Sequence, residues 1–386
     1  MPRFSFLLRL PVIVFLAHAY VALRLALASP PGYLPWLTVL AVLVVYLLIM
    51  AGFAARRSTG QPKGDILAWV GFLCLGLFSW LFVLTVLRDA VLLAAQLISI
   101  VYPVLMDAKD RADFRQISAW AVLIFSVVAL VLGLINARRR ARVVDVDIAL
   151  PGLPPTLDGF TLVQVTDLHV GPTIKRHYVG AVVDAVNALK PDVIILTGDL
   201  VDGSVERLSQ HTQPLARLTA PYGVYAVTGN HEYYSGVAQW ITEFQRLGMK
   251  VLMNQHDILM HHDQALLLAG VTDFGAEHFV ADQASDPVQA LRGAPNNVAV
   301  KILLAHQPRS APAAAAAGFD VQLSGHTHGG QIWPWGYFVP LQQPFVAGLH
   351  RLDAMQVYVS RGTGYWGPPM RIGARSEITR IRLRCA

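Results

Sequence analysis

Five short clusters in this sequence mix carboxylate and imidazole groups at spacings suited to gripping cations. They are Asp167-Leu168-His169, Gly198-Asp199-Leu200-Val201-Asp202, Gly229-Asn230-His231-Glu232, Ala305-His306 and Gly325-His326-Thr327-His328. Oxygen and nitrogen ligands without thiolates suit Mn, Fe or Zn and argue against a structural zinc cage. The i,i+2 spacing of Asp167 and His169, repeated in His326 and His328, lets both members face one side of an extended segment. Flanking glycines allow the tight turns that bring the side chains together. Two cations roughly 3.5–4 Å apart need about seven or eight ligand positions, one of them a shared carboxylate. These clusters supply that number. A centre of this kind clamps the attacking and leaving oxygens of a phosphoryl displacement and generates hydroxide near neutral pH.

The elements needed to position the clusters are visible as apolar runs just before them. Strands are expected at 160–166, 192–197, 223–228, 265–271, 300–305, 321–323 and 356–360, and helices at 176–189, 205–218 and 237–247. The last segment, 377–384, alternates like an edge strand. Repeated strand–helix–strand units imply parallel strands in a layered α/β domain, with ligands beyond the strands' carboxyl ends. Every cluster falls at such an end.

The ordered set DxH, GDxxD, GNHE, a lone His and GHTH resembles the calcineurin-like metallophosphoesterase superfamily over about residues 158–384. The GHTHGGQ ending and the apolar front half resemble its membrane-bound phosphodiesterase branch. The resemblance implies an α/β fold in which a layered β-sandwich is flanked by helices. It implies that Asp167, His169 and His328 hold one metal, that Asn230, His306 and His326 hold the other, and that Asp199 bridges them. His231 would then be catalytic, stabilising the phosphorus in its five-coordinate state or protonating the leaving oxygen, and Asp202 would orient it. Gly203-Ser204 stands where the soluble protein-phosphatase branch has Arg after GDxxD, which argues against phosphoprotein recognition of that type.

Other polar residues have plainer readings. Glu232 and Asp273 are expected to support the site or the fold, and Arg361 and Arg371 to bind a phosphate oxygen or be solvated. Trp333, Trp335, Tyr337 and Phe338 read as a packed hairpin, with a membrane-dipping or lipid-covering role as the alternative.

Composition separates the two halves. The chain is 54% hydrophobic and only 15% charged. Residues 1–142 carry fourteen Lys and Arg against five Asp and Glu, whereas the remainder is slightly acidic. The basic pI thus belongs to the apolar half, which removes the main support for nucleic-acid binding. Cys74 and Cys385 provide neither a disulfide framework nor a metal cage.

A spanning helix needs about 20 apolar residues. Residues 34–55, 66–87 and 117–135 qualify without a charge. Residues 4–28 qualify if Arg9, His18 and Arg24 snorkel or face other helices. Residues 91–106 form a fifth candidate.

The expected organisation is therefore an all-α polytopic transmembrane region of four or five helices over 1–142, a proline-marked linker over 143–157, and a metallophosphoesterase domain over 158–386. Arg56, Arg57 and Lys63 put their loop in the cytoplasm. Five spans would then deliver the domain outside the cytoplasm, which the resemblance also favours. Arg138, Arg139, Arg140 and Arg142 favour the inside, which four spans satisfy.

The functional expectation is a multi-pass cell-membrane enzyme in the lipid bilayer. With two divalent ions (Mn, Fe or Zn) it would hydrolyse a phosphodiester or pyrophosphate, on a lipid-linked or envelope substrate, by metal-activated hydroxide. The alternatives are a non-catalytic membrane scaffold and a transporter or sensor with a regulatory domain. Intact ligand positions weigh against the first, and the uncharged runs at 34–55 and 66–87 against the second.

Overall fold

The computed structural model describes residues 2–55, 62–102 and 107–386. It divides into two compact units, Met1–Ile135 with Gly367–Met370, and Asn136–Trp366 with Arg371–Ala386.

The first unit is helical: α1 (Pro2–Ala26), α2 (Leu34–Ala55), α3 (Pro62–Val101) and α4 (Ala108–Arg138). Three stretches, Leu34–Ala55, Lys63–Val101 and Ala108–Arg138, are long and apolar enough to cross a membrane, and Pro11–Ala26 is a shorter apolar helix. A helix satisfies its own backbone polar groups, as hydrocarbon requires. Outward side chains such as Leu40, Leu43 and Leu47 of α2 are exposed, a surface suited to lipid rather than water. Helices α2 and α3 approach closely at two glycines, where a Cβ on Gly52 would lie 2.8 Å from the Gly71 Cα.

The separate element expected at 91–106 is corrected. Residues 91–101 continue α3, and 103–106 lie outside the described residues. Arg88-Asp89 does not break the helix because both side chains have partners. Arg24 donates to both Asp89 oxygens at 2.7 and 2.9 Å, and Tyr20 donates at 2.6 Å.

The second unit contains twelve strands: β1 (Arg142–Leu150), β2 (Thr161–Val165), β3 (Val193–Thr197), β4 (Val224–Val227), β5 (Lys250–Val251), β6 (Gln255–His261), β7 (Gln264–Gly270), β8 (Val300–Leu304), β9 (Val321–Ser324), β10 (Gly348–Leu352), β11 (Met355–Val359) and β12 (Glu377–Cys385). They form two sheets ordered β1-β12-β2-β3-β4-β5 and β10-β11-β9-β8-β7-β6. Strands β2 to β5 run parallel in the first sheet, and β7, β8, β9 and β11 run parallel in the second.

The sheets pack face to face through one apolar layer. Leu162, Val193 and Ile195 meet Leu266, Ile302 and Leu323 there, all fully buried. On its outer face the first sheet packs Ile194 and Leu196 against α5 (Arg176–Ala188) and α6 (Val237–Arg246), through Val179, Val183 and Trp240. The second sheet is covered by the short alanine helix Ala311–Ala316. Alternate strand residues feed opposite layers, so the fold is a helix-flanked β-sandwich.

Two local readings are corrected. Strand β12 is not an edge: it lies between β1, to which it runs parallel, and β2, to which it runs antiparallel. The expected linker 143–157 holds most of β1. Each half concealed the other. Arg380 and Arg382 on β12 are matched by Asp145 and Asp147 on β1, so charges that read as solvent-facing are cross-strand pairs.

Candidate metal centre

Every cluster lies just past the carboxyl end of a strand. Asp167 follows β2, Asp199 follows β3, Asn230 follows β4, His306 follows β8 and His326 follows β9. The parallel strands therefore deliver their loops to one edge of the sandwich. Five of the residues there are held in left-handed backbone: Asp167, His169, Asp199, His326 and His328, with φ between 50° and 71°. Such conformations cost on the order of 1–3 kcal/mol each for non-glycine residues and persist where the surroundings impose them.

The side chains form three groups among the described residues, and the third, His169, Asp199 and His231, shares one residue with each of the other two. In the first, Asp167, His169 and His328 converge. The His169 and His328 Nε2 atoms are 3.1 Å apart, and His328 Nε2 is 3.5 Å from Asp167 Oδ1. In the second, Asp199, His306 and His326 converge. His306 Nε2 is 3.1 Å from Asp199 Oδ2 and 3.2 Å from His326 Nδ1. Asp199 Oδ2 is also 3.8 Å from His169 Nε2, so this one oxygen faces both groups.

Backbone and neighbours fix each orientation. Asp199 Oδ1 accepts from the His231 N–H at 2.8 Å, which leaves Oδ2 facing the histidines. Thr166 Oγ1 donates to Asp167 Oδ2, and the His326 N–H also lies against that carboxylate. His306 Nδ1 contacts the Thr197 carbonyl at 2.8 Å, which turns Nε2 inward. Space is equally constrained. A Cβ on Gly229 would overlap Asp199 Oδ1, and one on Gly325 would overlap Asp167 Oδ2.

Electrostatics follow from burial and proximity. Burial, then the nearby Asp199, push the Asp167 carboxyl up. Burial would do the same to Asp199, but His306 and His231 hold it well below the usual range. Burial lowers His326 to about 3, and burial with His169 holds His328 well below its ordinary value, so both rings are neutral. His306 goes the other way: burial opposes its protonation, but Asp199, Asp167 and Asp273 together raise it well above its usual value.

His231 stands beside this core, its Nε2 3.9 Å from Asp199 Oδ2 and its Nδ1 in a short contact with Asp202 Oδ1. Burial opposes its protonation, but Asp202 and then Asp199 raise it to about 9. Asp202 Oδ1 is also 3.3 Å from His169 Nδ1.

The residues fit divalent cations. Ring nitrogens about 3 Å apart suit adjacent positions around one metal with nitrogen bonds of about 2.1 Å. Asn230 Oδ1 is buried with no hydrogen-bond partner, an acceptor that a cation would satisfy. The donor set of carboxylate, imidazole and amide oxygen suits such ions.

Glu232 and Asp273 take the supporting places expected of them. Glu232 is fully buried and accepts from three backbone N–H groups, those of Gly229, Asp199 and Leu200. It thereby ties two metal-facing loops together, while burial and Asp199 raise it to about 7. The glutamate three residues past Gly229 at a helix start is a capping signature readable in the sequence. Asp273, also buried, accepts from Gln307 and from the Gly275 N–H.

Arg371 is not solvated, and it reaches the centre only through His328. Its buried guanidinium donates to the Gly364 and His328 carbonyls and lies 3.0 Å from His328 Nδ1. Arg361 pairs with Glu377 at 3.3 Å. Trp333, Trp335, Tyr337 and Phe338 are between 37% and 75% exposed, which overturns the packed-hairpin reading. Exposed Tyr234 and Trp366 stand edge-on to the His231 ring, their centroids 5.1 and 6.0 Å from it.

Comparison with known proteins shows the family. The family described as calcineurin-like phosphoesterase matches residues 160–330. A transmembrane protein with metallophosphoesterase domain from Danio rerio is 40% identical over 288 residues, covering 72% of this chain and 65% of that protein. Its Bos taurus namesake is 39% identical over 281 residues, covering 69% and 62%. The chain thus spans less than two thirds of both animal proteins. An uncharacterised metallophosphoesterase from Campylobacter jejuni is 35% identical over 287 residues, covering 72% of this chain and 74% of that protein. The chain belongs to the calcineurin-like metallophosphoesterases.

Proposed function

We propose that this protein is a membrane-anchored phosphoesterase that uses two divalent metal ions to hydrolyse a phosphodiester or pyrophosphate bond, with residues 158–386 as its catalytic domain. The observation that carries the reading is the position of Asp199 Oδ2, which faces both ligand groups from one buried carboxylate. Asp167, His169 and His328 would hold one ion, Asn230, His306 and His326 the other, and Asp199 both. When bound, the ions would supply Lewis acidity toward phosphoryl oxygens and lower the pKa of water toward neutrality.

The remaining steps belong to protein groups. Asp202 holds His231 by Nδ1 and keeps the ring protonated near neutral pH. His231 can then pass the proton on Nε2 to the leaving oxygen as its bond to phosphorus breaks. Glu232 keeps the Asp199 and Asn230 loops in register.

Exposed aromatics support an amphiphilic, lipid-linked substrate. Tyr234 and Trp366 flank His231, and the exposed segment Trp335–Leu341 follows the GHTH loop. Such rings favour the boundary between water and lipid.

The helix count supports a cytoplasmic face for the catalytic domain. Among the described residues two helices, α3 and α4, lie between the cluster Arg56, Arg57 and Lys63 and the cluster Arg138–Arg142, which would put both on one side. This reading favours four spans over five.

The test is metal analysis and turnover on purified full-length protein. Two equivalents of metal are expected, with Mn²⁺-dependent hydrolysis of bis(p-nitrophenyl) phosphate after stripping. Asp199→Asn should reduce turnover by at least about 100-fold. Activity that survives both chelation and this substitution would sink the reading.

A further inference from the structure

The GHTHGGQ block ends on a residue that the metal centre does not use. Gln331 is buried, and its side-chain amide meets the backbone of Trp366 in both directions. Gln331 Nε2 donates to the Trp366 carbonyl at 2.9 Å, and the Trp366 N–H donates to Gln331 Oε1 at 2.9 Å. The backbone of Gln331 is fixed in turn. Its N–H donates to the His328 carbonyl at 3.1 Å, and its carbonyl accepts from the Ile372 N–H at 3.0 Å. The chain just before Trp366 is tied to the Asp167 loop, because the N–H groups of Thr363 and Gly364 donate to the Thr166 and Asp167 carbonyls at 2.8 and 2.9 Å. Trp366 is thereby held at a defined place beside His231 although its side chain is 44% exposed.

A second ring reaches the same imidazole from its own helix. Tyr234 lies three residues after His231 in the short helix Asn230–Ser235, so the two share a face. It is 61% exposed. Its ring is inclined by 61° to that of His231 with centroids 5.1 Å apart, and the Trp366 ring is inclined by 74° at 6.0 Å. Phe279 extends the wall, edge-on to Tyr234 at 5.4 Å. Tyr233 supports it, with its ring 5.9 Å from Phe279 and its hydroxyl donating to Gln283 Oε1 at 2.7 Å.

Folding alone gives no reason for a buried amide to fix a ring that stays in water, whereas a ligand that stacks on the ring does. In the hydrolytic reading the leaving oxygen sits at His231 Nε2. A substituent on an oxygen about 3 Å from that nitrogen begins beside both aromatic side chains. A flat ring on that substituent gains stacking there; a tetrahedral group of similar size does not.

We propose that Tyr234 and Trp366 form a leaving-group subsite, that Gln331 is its positioning residue, and that the substrate is a phosphodiester whose leaving alcohol carries a flat ring close to its oxygen. The proposal rests on the hydrolytic reading and narrows its substrate class. A lipid chain on such a substrate belongs to the half that remains on phosphorus.

The test uses full-length, Mn²⁺-loaded protein with methyl phenyl phosphate and methyl hexafluoroisopropyl phosphate. Phenol and hexafluoroisopropanol are similar in acidity, so the two esters differ chiefly in the flatness of the leaving group. The native protein should favour the phenyl ester in kcat/KM by roughly tenfold. Trp366→Ala and Tyr234→Ala should each lower that preference about three- to tenfold, and Trp366→Phe, which keeps a ring, should retain it. Gln331→Glu, similar in size, sets a carboxylate oxygen against the Trp366 carbonyl and should lower the preference as well. The ratio is read within each variant, so a loss of folded protein cancels. A preference near one, or one untouched by the alanine variants, would overturn the subsite while hydrolysis itself stands, and an unaffected Gln331→Glu would overturn the positioning role. Failure to hydrolyse either ester after metal loading would overturn the hydrolytic reading and the subsite with it.

Discussion

At the scale of single residues, the pairing of His231 with Asp202 makes a prediction with a definite sign. Asp202 raises the His231 pKa to about 9, so the imidazolium is the dominant form at neutral pH. If it donates the proton to the leaving oxygen, kcat for a poor leaving group should hold through neutrality and fall as pH rises through about 9. Asp202→Asn removes the neighbouring charge, so the alkaline limb should move to lower pH by roughly one to three units. A nitrophenolate leaving group needs little protonation, and its pH profile should barely change. Parallel shifts with both leaving groups would assign Asp202 to the architecture of the site instead.

Glu232 offers a second residue-scale test. Its carboxylate accepts three backbone N–H groups, and Glu232→Gln would set amide hydrogens against at least one of them. A stability loss of about 1–3 kcal/mol is expected in thermal unfolding, with metal affinity down by roughly 10–100-fold. The convergent groups themselves were legible in the sequence because ligand chemistry restricts residue type so strongly. Contacts through backbone, such as those of Arg371 to the Gly364 and His328 carbonyls, leave no pattern of residue types to read.

At the scale of elements, the strands before each cluster were legible because buried parallel strands are continuous apolar runs. The edge strands β1, β6 and β10 were not. They are partly solvated, and their identity depends on a partner far along the chain. Strand β12 shows the difficulty best: Arg380, Arg382 and Arg384 look solvent-directed until β1 supplies its aspartates. Its central position has a measurable consequence. Ile381 is fully buried between the sheets, so Ile381→Ala should cost about 2–5 kcal/mol. Arg382→Ala, across from Asp147 at the surface, should cost under about 1 kcal/mol. Similar losses at both positions in denaturant unfolding would contradict the central placement. In the connecting loops, Gly325→Ala should lower metal occupancy while leaving the far-ultraviolet circular dichroism intact, because the added methyl meets Asp167 and its neighbour Thr166 at the strand end.

At the scale of the whole molecule, the side of the membrane follows from how many helices lie between two basic clusters. The sequence alone left the count open because residues 66–87 and 91–106 could each be an element, and one extra crossing moves the catalytic domain to the opposite compartment. A 40-residue α3 is about 60 Å long at the α-helical rise, twice the hydrocarbon thickness. In the proposed topology it would cross once with its uncharged half and extend beyond, carrying Arg88 and Asp89 to the headgroup level. Helix α4 would then return, and both basic clusters would meet the cytoplasmic side together. A single cysteine introduced at exposed Arg375 in a Cys74→Ala, Cys385→Ala background should therefore resist a membrane-impermeant maleimide in intact cells and react only after permeabilisation. One introduced at exposed Asp113 should react in intact cells. The reverse pattern would place the metal centre outside the cytoplasm and restore a fifth crossing.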